Sequence, residues 1–167
     1  MPESAPLPQL PPGTYSAAAP DLWVGRVDPD TGGDARRYHQ LVKTIDMRGL
    51  ETWQSPTRPW IAILGFKCDL GVVRNLGRPG AKHGPDRIRH QFANLAAPVH
   101  PFLLFDFGDI LTKPEPTAGN LLHAQSNLKQ ATCWIYANGG FPIVLGGGHE
   151  MAKGHALGAY AAFPHAR

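Results

Sequence analysis

Three consecutive glycines, Gly146 to Gly148, carry His149 and Glu150 directly behind an apolar run, Pro142 to Leu145. The run has the composition of a buried strand, and glycines let a backbone turn sharply or approach another group closely. One imidazole is thereby delivered to the C-terminal end of a strand, the rim where open α/β sheets build their sites. Imidazole binds several divalent metals and carries protons near neutral pH. A metal-ligating or catalytic role for His149 stands beside a plain strand-to-helix turn, which needs fewer glycines. A zinc-protease reading of His149-Glu150 fails on spacing. It requires a histidine four residues on, whereas the next is His155, six on.

Two other groups of residues have types suited to chemistry. The segment 69–86 and the residues just after it hold Arg74, Arg78, Lys82, Arg87 and Arg89. It matches neither GxGxxG nor GxxxxGK[ST], and it lacks the interleaved aromatics of a nucleic-acid surface. A structured loop at the rim is preferred to a phosphate cradle or a nucleic-acid patch. Asp106 and Asp109 end an apolar run. Two close carboxylates could do acid–base or metal work, but aspartates at strand ends more often bind backbone amides. The structural role is preferred. The histidines at 39, 83, 90, 100, 123 and 165 show no ligand spacing and read as surface residues. No Ser or Cys sits in a GxSxG elbow. No catalytic residue and no substrate-binding residue can be named from these patterns.

The elements that must position His149 alternate in type. Trp60 to Phe66, Phe102 to Phe107 and Phe141 to Leu145 are near-continuous apolar runs, as expected of strands buried on both faces. A helix is predicted from Pro85, with Ile88, Phe92 and Leu95 as its buried stripe. Others are predicted over 121–137, stopped by Asn138-Gly139-Gly140, and over 150–162. Earlier, Tyr38, Leu41, Val42 and Ile45 are spaced for an amphipathic helix over 35–50. Asp28-Pro29-Asp30 and Gly32-Gly33 punctuate a turn-rich stretch from Asp21 to Gly33. The alternation of strand and helix predicts an α/β fold, a parallel sheet with helices on both faces. Residues 1–20 hold six prolines and are expected to be a mobile, extended arm, leaving 21–167 as the folded domain.

Composition narrows the class. The chain has 167 residues and a net charge of +3, enough for one medium domain and too mildly basic to call for nucleic acid. Cys68 and Cys133 are far apart and form no CxxC, which favours a reduced, cytoplasmic setting over a disulfide framework. No apolar run is long enough for a membrane span, and the N-terminus has neither the basic start nor the apolar block of a signal peptide.

Taken together, these motifs resemble the arginase/ureohydrolase family. The resemblance runs through Leu22 to Arg26; Leu64 to Phe66 with Asp69, Gly71, Val72, Arg74, Asn75, Gly77, Arg78 and Gly80; Gly84 to Asp86 with Ile88-Arg89; Asp106 with Gly108-Asp109; and Val144 to Glu150 with Ala152 and Gly154. Arginases and agmatinases typically show Gly-Gly-Asp-His at the last motif. Gly148 before His149, Glu150 after it, and the Arg74-Asn75 pair look like the formimidoylglutamase branch. Leu70 stands where an acidic residue would be expected.

The resemblance implies the N-terminal half of a three-layer arginase fold, with His149 as a ligand of a two-ion manganese centre. It implies hydrolysis of a carbon–nitrogen bond of the amidine type, N-formimino-L-glutamate and water giving L-glutamate and formamide, by a metal-bridging hydroxide. The other ligands of such enzymes come from an Asp-x-His-x-Asp motif on the next strand and a later Asp-x-Asp. This sequence has no DxHxD, and no Asp-x-Asp follows His149. The expectation is therefore an incomplete site, a chain inactive by itself, and a third strand whose outer edge is bare. The implied partners are a small-molecule substrate and either the missing C-terminal half or further copies of the chain; neither nucleic acid nor membrane is implied. Two alternatives remain: another ureohydrolase, of the agmatinase or guanidino-acid type, and a non-catalytic interaction module.

Overall fold

The computed structural model describes residues 5–29, 35–97, 102–113, 115 and 117–165. Asp30, Gly32-Gly33, His100 and the two chain ends lie outside the described residues. The strands are β1 (Tyr15–Ser16), β2 (Lys43–Thr44), β3 (Trp60–Lys67), β4 (Leu103–Leu111) and β5 (Gly140–Gly146). The α-helices are α1 (Leu70–Arg74), α2 (Gly84–Ala93), α3 (Ala118–Ala137) and α4 (Met151–Ala162).

The sheet runs β1-β4-β3-β5, with β2 also alongside β4. β3 lies parallel to both β4 and β5, and β2 is parallel to β4; β1 alone is antiparallel. Alternation along β3 sorts its side chains. Trp60, Ala62, Leu64 and Phe66 join the larger core with Leu128, Ala131, Trp134 and Ile135 of α3. Ile63 points the other way, to Trp23 and Ala93. The expected architecture of a mostly parallel sheet with helices on both faces is what forms. α4 does not touch the sheet broadly. It packs on α3, where Gly154 and Gly158 are buried, and its His155 Nε2 lies 3.0 Å from Tyr136 Oη.

The smaller core is organised around a buried ion cluster. Arg89 of α2 is 0 % exposed. Its Nε and Nη2 donate to Asp106 at 2.7 and 2.8 Å, and its Nη1 donates to Asp109 at 2.6 Å. Trp23 Nε1 donates to Asp106 at 2.6 Å, and Gly108 O accepts from Arg89 at 2.9 Å. Lys67 Nζ extends the cluster, 3.0 Å from Asp109 and 2.7 Å from Asp86, the latter without hydrogen-bond angles. Residues three apart on a regular strand face opposite ways, so Asp106 and Asp109 need a special backbone to meet one guanidinium. A bulge supplies it: the β3–β4 register slips between Ile63–Asp106 and Gly65–Asp109. The extra residue resets the alternation. Gly108 within it has φ of +77°, and a Cβ there would lie 2.1 Å from Ser16 O of β1.

Several expectations are corrected. The helix over 35–50 is absent: 3-10 turns at Tyr38–Gln40 and Met47–Thr52 flank β2. Its apolar residues serve two cores. Tyr38 and Val42 pack with the Arg89-side cluster, whereas Met47 and Leu50 belong to the other. The segment crosses the sheet edge, and its spacing is not one stripe. The stripe of α2 is likewise rotated. Pro85, Arg89 and Ala93 are buried, while Ile88 is 45 % and Leu95 54 % exposed; only Phe92 packs inward, stacked on Tyr38. Two carboxylates beneath α2 draw the arginine inside. The proline-rich arm is tied down at its far end: β1 pairs with β4, and Tyr15 Oη accepts from Met47 N at 2.9 Å. Finally, β5 is not covered on both faces. Phe141 is 60 % exposed and Ile143 is exposed too, and among the described residues β5 pairs only with β3.

Two predictions follow from this packing. Burial opposes the charge of Arg89, but Asp106 and then Asp109 outweigh it and hold its pKa above the ordinary value. Arg89→Met leaves two buried carboxylates facing an apolar chain, and is expected to lower unfolding stability by roughly 3–5 kcal/mol. Urea denaturation checks this; a loss under about 1 kcal/mol, within reach of a surface change, would contradict it. Burial also lowers the His155 pKa. The unfolded chain then takes up the proton more readily, so the contribution is full above the ordinary histidine pKa of about 6.5 and is lost as pH falls through the folded value. The thermal midpoint should fall on acidification through this window, and His155→Phe should flatten part of that fall. Parallel pH profiles for the two proteins would refute this.

Candidate functional site

The end of β5 is laid against the end of β3, with Gly146 opposite Phe66. Beyond it the chain bends over β3: Gly147 N donates to Phe66 O at 2.9 Å and Gly148 N to Cys68 O at 2.7 Å. A Cβ on Gly147 would lie 2.0 Å from Cys68 O, so only glycine permits this approach. His149 follows as an exposed residue of the turn into α4. It therefore occupies the position expected from the sequence, at the C-terminal rim of the parallel strands.

Glu150 supports the turn from below. Its side chain does not cap α4. Oε1 instead accepts from Gly71 N at 2.9 Å and from the Cys68 thiol at 3.3 Å, and the Glu150 carbonyl accepts from Gln125 Nε2 at 2.8 Å. One residue thus ties the start of α1, the end of β3 and α3 to the turn that holds His149. Burial first, with the Glu150 carboxylate adding to it, pushes the Cys68 thiol up to about 12. Cys68 stays protonated at neutral pH and is neither a nucleophile nor a thiolate ligand. Sequence reasoning singled out Glu150 only as the neighbour of His149. Its fastening role was hidden because its partners are backbone groups far away in the chain.

The segment after β3 is the structured rim loop preferred above. Asp69, buried, accepts from Gly80 N at 2.7 Å and closes the loop on itself. Gly77 N donates to Val72 O at 2.8 Å. The loop returns at Gly84, which packs against Gly146 O. It leaves the sheet beside β3 and rejoins it beside β5, bracketing His149.

Other candidate residues are elsewhere. Asp106 and Asp109 are buried and bound to Arg89, so they form no acid–base pair. The structural role preferred from sequence holds, but its chief partner is an arginine, with only Gly108 N donating to Asp106 from the backbone. His83, His90, His123 and His165 are exposed, and His39 lies 3.1 Å from Ala93 O. Among the described residues no group of three or more His, Cys, Asp or Glu could hold a metal ion. An open apolar groove bordered by Trp60, Tyr136, Gly140, Phe141 and Phe163 lies at the opposite, N-terminal ends of β3 and β5.

Comparison with known proteins identifies the family. Residues 60–166 match the model of the arginase family. A formimidoylglutamase of Chromobacterium violaceum is 45% identical over 147 residues, which cover 87% of this chain and 43% of that protein. One of Photorhabdus laumondii is 39% identical over 153 residues, covering 92% and 46%. A crystal structure of a Trypanosoma cruzi formiminoglutamase variant with Mn2+ superposes with a TM-score of 0.56 at 30% identity, over 69% of this chain and 39% of that one. The chain spans less than half the length of the curated relatives it matches. The matched range takes in β3, the rim loop, β4, β5 and the glycine turn: the chain belongs to the arginase family.

Proposed function

We propose that this chain carries the first portion of a manganese-dependent formimidoylglutamase, a hydrolase that cleaves N-formimino-L-glutamate with water to L-glutamate and formamide. The observation that carries the reading is the Gly146–Gly148 turn. It sets His149 at the rim, held by Phe66 O, Cys68 O and Glu150. The similarity to formimidoylglutamases supports the choice of branch.

The described residues do not suffice for two manganese ions. The Gly146–Gly148 turn presents one exposed imidazole, that of His149, and manganese prefers oxygen donors. Glu150, the nearest acid in sequence, is committed to Gly71 N and Cys68. We therefore assign His149 as one metal ligand and place the carboxylate donors outside these 167 residues. No hydrolytic step is assigned to the chain by itself. A cytoplasmic setting belongs to the same reading and is supported by two free cysteines. No described helix is long and apolar enough to cross a membrane.

The uncovered outer edge of β5, with Phe141 and Ile143 exposed, favours an interaction role as the second reading. Unpaired strand edges recruit other chains. A polypeptide that completes the sheet would make the two readings one; a stable complex with an unrelated chain would separate them.

The deciding assay adds Mn2+ and follows formamide and urea release by the chain alone and by the chain joined to the remaining portion of the Chromobacterium violaceum relative. The expected result is no product from the chain alone and formamide from the joined protein. His149→Ala should cost more than the ~10–100-fold typical of losing an outer-shell partner. Urea release would transfer the chain to the guanidino branch, and turnover unaffected by His149→Ala would remove its ligand role.

A further inference from the structure

A small cavity lies apart from His149. The N-terminal arm, the end of β4 and the first half of α3 border a space of about 160 Å³. β3 stands between β4 and β5, so this space is separated from the glycine turn by a strand. The volume exceeds the ~10–15 Å³ that a single water needs. It falls short of the ~300–1,000 Å³ of pockets for drug-sized ligands. A ligand of a few heavy atoms fits it.

The walls are held by hydrogen bonds. Thr14 N and Oγ1 both donate to Pro11 O, at 3.1 and 2.7 Å. Leu111 N donates to Thr14 O at 2.8 Å, and Gln9 N donates to Gln130 Oε1 of α3 at 3.0 Å. Asn120 Nδ2 donates to Glu115 O at 2.7 Å and so ties the segment after β4 to α3. The arm is thereby a fixed wall of a preformed space.

One polar group in this space has no partner. Asn127 is 6 % exposed, yet its side chain makes no hydrogen bond among the described residues. Its amide atoms are not sealed within protein either, so they open into the cavity that Asn127 lines. Buried amides are almost always bonded, and an exception calls for a ligand, an ion or water. Asn120, His123 and Asn127 follow one another at the spacing of a single helix face. Ala124, on the same face, is too small to fill the space they border.

The charge around the amide is positive. Lys113 and His123 both line the cavity, and both are exposed. Neither makes an ion pair or hydrogen bond among the described residues, and Glu115 does not meet Lys113. No Asp or Glu is among the lining residues. An ammonium group only donates, and an imidazole and a primary amide each offer an N–H. Donors without an acidic partner suit an anion and repel a cation.

We propose that this cavity binds a small oxyanion, a carboxylate or a phosphate, with Lys113, His123 and Asn127 as its donors. Both anions present the charged oxygens that such donors bind most strongly. The site is separate from the hydrolase reading and does not rest on it.

The test titrates sodium phosphate and sodium acetate separately into the full chain at constant ionic strength. Sodium chloride is the control, and the side-chain resonances of Asn127 and His123 are followed by NMR. Saturable shifts at both residues are expected with at least one oxyanion, and the one that saturates at lower concentration identifies the source. K113Q and H123Q should each weaken binding roughly tenfold, the cost of a lost charge-assisted hydrogen bond. N127L should abolish saturation. Lys113 and His123 are exposed, so K113Q and H123Q should keep the native thermal midpoint, and they carry the test even if N127L does not fold. Shifts no larger than with chloride would leave water as the occupant and overturn the proposal. Undiminished affinity in the K113Q/H123Q double variant would overturn it as well.

Discussion

The seat of α2, and with it the end of the rim loop, depends on one buried guanidinium. Arg89 sits under α2 with no exposure, and its charge is answered by Asp106 and Asp109 at 2.6–2.8 Å. Burying a lone cation is prohibitive; burying it with two hydrogen-bonded carboxylates is tolerable and directional. The direction matters more than the energy. The pair forms only because the bulge at Gly108 turns both aspartates to one face. α2 is thereby fixed over β3 and β4, with its first residue, Gly84, against the end of β5. The seat of α2 decides where the rim loop must end.

A second set of contacts completes the rim from the other side. Gly147 and Gly148 hydrogen-bond to the end of β3, and Glu150 reaches back to Gly71. The two fastenings share no side chain, but both act on the loop between β3 and α2. His149 is presented by backbone that is anchored on each flank. This is the precision a ligand or catalytic residue needs, since sites are held best by rigid elements and supporting hydrogen bonds. The uncovered face of β5 shows the same framework left open on one side, in a chain that spans less than half of its relatives.

Much of this was legible in the residues. The three main strands, α3, α4 and the place of His149 follow from apolar runs and glycine punctuation, which are local signals. Other features were not legible. Tyr38 to Ile45 has helical spacing, yet its apolar residues are divided between two cores by a segment that crosses the sheet edge. Ile88 and Leu95 looked like the buried stripe of α2, yet Arg89 took the inner position. Hydropathy ranks arginine as a surface residue, and no local pattern shows that two aspartates wait beneath it. Tyr15 looked like part of a free arm because its hydrogen bond to Met47 N joins distant residues.

The sequence by itself determined the three main strands, α3 and α4, that His149 ends a strand, and that these 167 residues hold no DxHxD motif. Those facts reside in neighbouring residues and need no folding to be read. The tertiary structure alone decided that Asp106 and Asp109 share Arg89, that Glu150 clamps α1, and that Tyr15 meets Met47 N. Each of these is a meeting of charges or backbone groups far apart in the chain. Which charge finds which partner is settled by the register of the strands and the bulge between them, and that is a property of the folded sheet.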